Sequence, residues 1–484
     1  MKILSMQFGK IFFIVALASC WAGCDFAPKY SKPAAVTPAT FKEDSGANNT
    51  DTNIWQAAHP DDAVIRSNWW ETFNDSQLNA LEQQVAISNQ NIVAAFENFL
   101  SAHATVHETE AEYYPTVNAD PSASRSRVYT GGGISLHNPN VDNFDVPLDA
   151  SWELDLWGRI RNSVKAAAGQ AQASAADLEN TKLAAQAELA SDYFQLQGQD
   201  SLIKLFDDTV NDYSNSLQLT EVLFKTGIDS DQDVAQAQTQ LETTESQASN
   251  LRIERATLEH AIAVLIGQPP STFSISPMPV NAKPPLIPVA IPSQLLERRP
   301  DVAAAERAVF SANAEIGVAR SAFFPAVTLS ASGGFESSAV NTLFKWSSRV
   351  WSLGAAATQP IFNAALFPAL TQYRAEYDSA VAQYRQTVLT AFQGVEDNLA
   401  TLRILKAQVQ QQQVAVDSSQ KYLDLAIYRY KLGIDSYLDV ITAQTTLLTN
   451  RQTLDNLYTQ QMTAAVTLIE DLGGGWDAKE LPKD

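Results

Sequence analysis

The chain has 484 residues, 45% of them apolar and only 18% charged, and it is acidic, with 33 Lys and Arg against 54 Asp and Glu for a net charge of −21. Such a surface repels a phosphate backbone, so nucleic acid is excluded as a partner, and a low charged share indicates surface covered in an assembly or facing something other than water. The only cysteines, Cys20 and Cys24, can build neither a disulfide framework nor a Cys-based zinc site.

Residues 1–19 read as a lipoprotein signal peptide: Lys2 and Lys10 give the positive start and Ile11 to Ala18 the short apolar run. Leu17-Ala18-Ser19-Cys20 has the form of a lipobox, whose small residues fit the peptidase and whose thiol accepts diacylglycerol. Trp21-Ala22-Gly23-Cys24 is a poorer one, because bulky Trp21 stands where Leu is preferred, so Cys20 is the favoured acylation site and Cys24 the alternative. No later run of 18 apolar residues occurs, and no transmembrane helix is expected. Residues 20–61 form the anchor and an extended linker, rich in Pro, Thr, Asn and Asp from Pro33 onward.

An internal duplication organises the rest. Lys225 to Leu241 laid over Lys431 to Leu447 agree at 11 of 17 positions with an offset of 206. Tyr113 to Val117 against Phe323 to Val327, and Asn91-Ile92 against Asp301-Val302, agree at an offset of 210. The copies span residues 62–268 and 293–476, followed by a tail, 477–484; between them, in 269–292, fall eight of the 21 prolines, the mark of a linker.

Within each copy the hydrophobic period changes. From Phe144 to Trp157 the even positions are apolar (Phe144, Val146, Leu148, Ala150, Trp152, Leu154, Leu156) and the odd ones mostly acidic or small. That alternation is longer than an ordinary half-buried strand and fits a tilted membrane-spanning one. Val327 to Glu336 alternate likewise, and weaker alternation follows Val117 and surrounds Trp351 to Ile361, giving two strands per copy and four per chain. Four strands cannot close a barrel, and open edges cannot face lipid, so several chains must share one barrel. Trp152 and Trp157 suit either an interfacial girdle, favoured for Trp157, or barrel-wall packing.

After the strands, Leu148 to Gln268 and Ala369 to Leu481 contain no proline and are rich in Ala, Gln, Leu and Glu. Each is read as a helical hairpin turning at Gly-Ile-Asp-Ser, at Gly227 and Gly433; the arm from about Ile160 to Lys225 would run about 65 residues, ~100 Å, and helices of this length pack side by side as coiled coils.

These residues resemble the outer-membrane factors of TolC/OprM type, in their lipoprotein NodT-like branch, over nearly the whole mature chain. The similarity is carried by Cys24 to Pro33 (CDFAPKYSKP), Trp69 to Phe73 (WWETF), Asp149 to Arg161, Leu295 to Asp301 (LLERRPD), Ala322 to Pro325, Tyr384 to Leu389 and Gly473 to Trp476 (GGGW). The resemblance implies a mainly α fold with a membrane β-barrel, in which three chains share a 12-stranded outer-membrane barrel and their hairpins form a periplasmic α-barrel. It implies a homotrimeric passive export duct of a tripartite efflux system, lipid-anchored in the bacterial outer membrane. Its partners are then a periplasmic adaptor (membrane fusion) protein, an inner-membrane RND-type transporter and outer-membrane lipid. It needs no cofactor beyond the covalent lipid, diacylglycerol with an N-palmitoyl chain. The opening motif aligns Cys24 as the acylated residue, against the lipobox preference for Cys20.

The resemblance also implies a periplasmic tip narrowed by rings of Asp and by links involving Tyr or Arg near the second hairpin turn. Asp439 and Tyr430 match such positions, Thr442 stands where a further Asp is common, and Asp233 is the repeat partner of Asp439. The carboxylates equally suit the positive N-terminus of the returning helix. His103 and His107 have a metal-compatible spacing without a third ligand, so a solvated helix face is expected and no metal. Gly131-Gly132-Gly133 lacks the context of a phosphate loop and suits an extracellular connection. No Ser/His/Asp or Cys/His set stands out, and no enzyme is expected. The competing readings are a duct of a type I-like secretion system and a periplasmic adaptor lipoprotein.

Overall fold

The computed structural model describes residues 25–38, 40–43, 68–127, 140–280, 284–285, 287, 298–476 and 481; both cysteines and Gly131 to Gly133 lie outside them. Copy one contains α1 (Ser76–Ser88), α2 (Gln90–Glu110), β1 (Thr116–Ala119), β2 (Ser122–Arg127), β3 (Asn140–Leu154), α3 (Arg159–Lys225) and α4 (Asp231–Leu265). Copy two repeats the plan with α5 (Pro300–Ser321), β4 (Ala326–Ser337), β5 (Arg349–Thr358), α6 (Leu366–Lys431) and α7 (Tyr437–Asp471). The long arms α3 and α6 have 67 and 66 residues and the returning arms 35 each. Among the described residues no helix is long and apolar enough to cross a membrane.

All strands join one antiparallel sheet in which β3 and β4 are central and β5 forms one edge. β1 and β2 both pair with β3 in a single uninterrupted register, Ala119 opposite Leu148 and Ser122 opposite Asp145. They are one strand position, split where Pro121 and Pro147 lack the N–H groups a ladder needs. Opposite Pro147 stands Gly334, where an added Cβ would come within 2.3 Å of the Val146 carbonyl oxygen.

Directly paired residues share a face, so the register sorts the sheet into two. One face holds Val117, Ala119, Phe144, Val146, Leu148, Ala150, Trp152 and Leu154, then Val327, Leu329, Ala331 and Phe335, then Trp351, Leu353, Ala355 and Ala357. The other holds Asp145, Asp149, Glu153 and Glu336 among serines, threonines and glycines. Phe144 to Leu154 rises ~34 Å along the strand and ~25 Å at a ~45° tilt, the height of an outward apolar band. Trp351 and Leu353 on that face are 77% and 76% exposed. Lipid is the solvent that suits them.

The main core lies at mid-height, where both copies meet. Trp69, Trp70 and Phe73 are buried there, Phe73 against Phe194 at 4.9 Å between ring centroids. Close approach depends on small residues of α3: Gly169 faces Phe310 of α5 and Gly198 faces Thr459 of α7, each too close for a Cβ. Arg299 clamps the start of α5 to the end of α7, donating to both Asp301 carboxylate oxygens (3.0 and 2.8 Å), to the Asp471 carbonyl (2.9 Å) and to its carboxylate (3.0 Å). Gly473, Gly474 and Gly475 then turn with φ of +93°, +57° and +93°. A Cβ on Gly473 would meet the Arg298 carbonyl oxygen at 2.0 Å.

The N-terminal segment straps this body together. Asp25 accepts from Lys165 (2.6 Å) and Asn162 (2.9 Å), Arg320 donates to the Phe26 carbonyl and Asn313 to that of Pro28, and the Tyr30 hydroxyl donates to Glu306. Phe26 stacks on Phe324 at 4.3 Å, and Trp157 packs against both rings while its indole N–H donates to Pro325 at 2.7 Å. Trp157 therefore packs beneath the sheet against the strap, whereas Trp152 is 38% exposed on the apolar face.

Arg299→Ala leaves the Asp471 carboxylate half-stranded in the core and is expected to cost about 3–5 kcal/mol, read as a lower thermal midpoint. Glu82 is 0% exposed, both its carboxylate oxygens lack a partner, and burial pushes its pKa up to about 9 from 4.5. The folded state thus holds a proton that the unfolded state releases, so stability is greatest below about 4.5 and declines as the pH rises toward about 9. Glu82→Gln is expected to raise the thermal midpoint at pH 8 with little change at pH 5; equal shifts at both would refute the assignment.

Candidate functional site

The hairpin tips are built twice from one motif. α3 ends at Lys225 and Gly227 adopts φ +76°, which lets its N–H reach the Phe224 carbonyl (2.9 Å) and that of Ile228 the Leu223 carbonyl (2.9 Å). Gly433 does the same at φ +69°, its N–H on the Tyr430 carbonyl (2.8 Å) and that of Ile434 on the Arg429 carbonyl (3.0 Å). No atom lies within 4 Å of where a Cβ would stand at either glycine, so the left-handed backbone alone selects them. Each returning helix opens with a capping box: Asp233 accepts from the Ser230 N–H (3.1 Å) and hydroxyl (2.6 Å), and Asp439 from those of Ser436 (3.2 and 2.8 Å). The two carboxylates are thus committed to capping within the chain.

Where the copies diverge, the tip acquires cross-links. Tyr430 occupies the place of Phe224, and its hydroxyl donates to the Asp229 carboxylate of the other hairpin. Arg429 occupies the place of Leu223 and forms a two-pronged pair with Asp435 of its own hairpin, at 2.6 and 2.8 Å. Asp229 and Asp435 are repeat partners, so one motif position serves two different links. Burial and the Asp229 charge push the Tyr430 hydroxyl well above the usual tyrosine range. The ring of Tyr430 packs on Tyr437 at 5.4 Å in a small cluster with Ala237, Ala426, Val440 and Ala443.

Just above this cluster a cavity of about 360 Å³ separates α3 from α6 and α7, lined by Tyr213, Ser216, Asp424, Tyr437, Gln444 and Arg451. The two hairpins are therefore less closely packed here than at mid-height. Outside the cluster the tips leave Ile228, Leu432, Ile434 and Leu438 more than half exposed.

Tyr430, Asp439, Asp233, Gly227 and Gly433 all lie at this one end, while Asp229, Arg429 and Asp435 were not singled out from the sequence. The signal for Arg429 lay in the repeat itself, where copy one has Leu223; Asp229 and Asp435 are the same residue in both copies and carried no such signal. Cys20 and Cys24 lie outside the described residues. The rings of His103 and His107 are 4.8 Å apart and His107 pairs with Glu110 at 3.0 Å. Among the described residues no group of three or more His, Cys, Asp or Glu side chains converges to hold a metal ion.

The sequence matches the family described as "Outer membrane efflux protein" over residues 81–268 and 291–474. It is 32% identical to the probable efflux pump outer membrane protein TtgC of Pseudomonas putida over 457 residues, 94% of this chain and 93% of that one. It is 30% identical to the cation efflux system protein CusC of Escherichia coli over 470 residues, 96% of this chain and 98% of that one. The fold superimposes on the outer-membrane channel OprN with a TM-score of 0.86 at 28% identity, covering 94% of this chain and all of that one. With the duplicated sheet-and-hairpin plan accounted for from end to end, this chain belongs to the outer membrane efflux protein family.

Proposed function

We propose that the chain is one subunit of a homotrimeric outer-membrane duct for tripartite efflux, docking through its hairpin tips on a periplasmic adaptor and, with it, on an inner-membrane RND-type transporter. The observation that carries this reading is the sheet: one apolar face, one acidic face and two unpaired edges, set on hairpins of about 100 Å at 1.5 Å per residue. Three copies supply twelve strand positions, enough to join edge to edge and enclose a lumen lined by Asp145, Asp149 and Glu336. Passage through it needs no chemistry of the chain's own. The exposed apolar residues at the tips suit contact with neighbouring subunits or the adaptor.

The periplasmic end is held shut by the Tyr430–Asp229 link between hairpins, and the Asp439 carboxylates, gathered by the three-fold axis, favour cations. Asp233 adds to that potential. The acyl chains sit on Cys20 or Cys24; Asp25, paired with Lys165, and Phe26, stacked beside Trp157 at the base of the sheet, make Cys24 the shorter tether to the membrane. Mass spectrometry of the N-terminal peptide distinguishes them.

Single-channel recording in planar bilayers tests the gate. Tyr430→Phe keeps the packed ring and removes the hydroxyl, and a several-fold rise in conductance is expected; an unchanged conductance refutes the latch. For Asp439 two substitutions separate capping from charge. Asn still accepts the N-cap hydrogen bonds, so a loss of cation preference in Asp439→Asn assigns a channel role, whereas a change seen only in Asp439→Ala assigns capping alone.

A further inference from the structure

Charge is sorted across the sheet by side and by height. On the apolar face, the band running up from Leu154 ends at Phe144 and Ala123, and the next paired positions outward are Arg125 opposite Asp142 and Arg127 opposite Asn140. On β5 the same face begins with Arg349, opposite Phe335 and followed two residues later by Trp351. All three arginines are exposed and lie at the end of the sheet remote from the helices. The acidic residues at that height, Asp145 and Glu336, point to the opposite face. Asp142 alone shares the arginine side, pairing with Arg125 at 3.3 Å. Among the described residues Arg127 and Arg349 have no carboxylate partner.

The β4–β5 connection adds to this rim. Phe344 packs on Phe335, a residue of the apolar face, at 5.5 Å between ring centroids, so the connection leans toward the lipid side. Phe344 and Trp346 are 71% and 78% exposed, and the Arg349 guanidinium lies over the Trp346 indole while its Nε donates to the Trp346 carbonyl. Lys345 stands between the two aromatic residues, and the first connection, residues 128–139, contributes no Asp, Glu, Lys or Arg. In a chain of net charge −21 the apolar face thus carries cations on both edges of the sheet at the end remote from the helices, Arg125 and Arg127 on β2 and Arg349 on β5 beside aromatic side chains, so copies joined edge to edge bring them to one seam.

We propose that this rim, Arg125, Arg127 and Arg349 with Lys345, Phe344 and Trp346, is a binding site for the phosphorylated headgroup of outer-leaflet glycolipid. A guanidinium meets a phosphate through two parallel N–H donors, and an arginine fixed over an indole loses little freedom in doing so. Phe344 and Trp346 are amphipathic or apolar rings at the level where acyl chains give way to headgroups. Seated there, the lipid fixes the depth of the sheet without touching the lumen. The inference rests on the sheet lying in the outer membrane with copies joined edge to edge, and is independent of the tip and its latch.

The test uses the full-length protein in detergent, titrated with bisphosphorylated lipid A and, separately, with dephosphorylated lipid A of the same acylation, binding being followed by native mass spectrometry. The wild type is expected to prefer the phosphorylated lipid by at least ~30-fold, and the triple variant R125S/R127S/R349S to lose that preference. Asp142→Asn, which frees Arg125, is expected to tighten binding several-fold and carries the test if the triple variant does not fold. No phosphate preference in the wild type, or no change in either variant, overturns the proposal. Displacement by millimolar inorganic phosphate alone would assign the site to free phosphate and overturn the lipid. Insertion into neutral-lipid bilayers, scored on the same samples, separates failure of this site from failure of the membrane placement.

Discussion

A backbone N–H or C=O facing hydrocarbon without a partner costs several kcal/mol, and that constraint governs the rest of this molecule. The sheet presents an apolar face too continuous for water, yet it ends in two unpaired edges, β1/β2 on one side and β5 on the other. Four strand positions, all that the described residues offer, cannot join their own two edges into a closed barrel. On the proposed reading further copies pair with them, and the subunit is one segment of a shared barrel. The helices inherit the arrangement: α3 starts five residues after β3, and α6 eight residues after β5, so whatever closes the sheet also sets the hairpins in a ring.

The transition from sheet to helices is where the sequence is least free. The strap from Asp25 to Tyr30 binds there, along α5, while Trp69 to Phe73, Arg299 with Asp301 and Gly473 to Trp476 constrain the other end of that helix, where the two copies cross. Their common property is shape and hydrogen-bond geometry. Glycines appear where a backbone comes within 2–3 Å of a would-be Cβ, and the buried guanidinium is matched to two carboxylates and a carbonyl. Glu82 breaks this pattern as a buried acid without a partner, held neutral by its surroundings.

Much of the plan was legible in the sequence because its signals are long. An alternation sustained from Phe144 to Leu154 fixes a strand and its faces, and a stretch of some hundred residues without proline allows a helix of 67 residues. The split of the first strand was less visible, since it takes Pro121 on one strand and Pro147 one position away from it across the register to open the ladder. The Tyr430–Asp229 link joins residues 201 apart, and nothing local to either one announces it. Likewise Arg125 and Arg349 read as ordinary surface charges until the pairing puts them on the apolar side. The girdle reading of Trp157 met a competing force: Phe26 and Phe324 cover the ring, and Trp152 is the tryptophan left on the apolar face near its base.

The two tip links differ in a way that duplication alone does not produce. Arg429–Asp435 is exposed, stays within one hairpin and is screened by salt, so it contributes little to holding the hairpins together and can exchange partners readily. Tyr430–Asp229 crosses between copies, and its ring is 7% exposed in a cluster that includes Tyr437 and Val440. Breaking it therefore strips a half-buried carboxylate of a donor and disturbs packing at once, while the cavity directly above gives α6 and α7 room to shift without compressing the core. The link is local to the last two turns of each arm. On the proposed gating reading the hairpins part at their ends while the crossing at mid-height, which carries the buried aromatic residues and the Arg299 clamp, keeps its geometry.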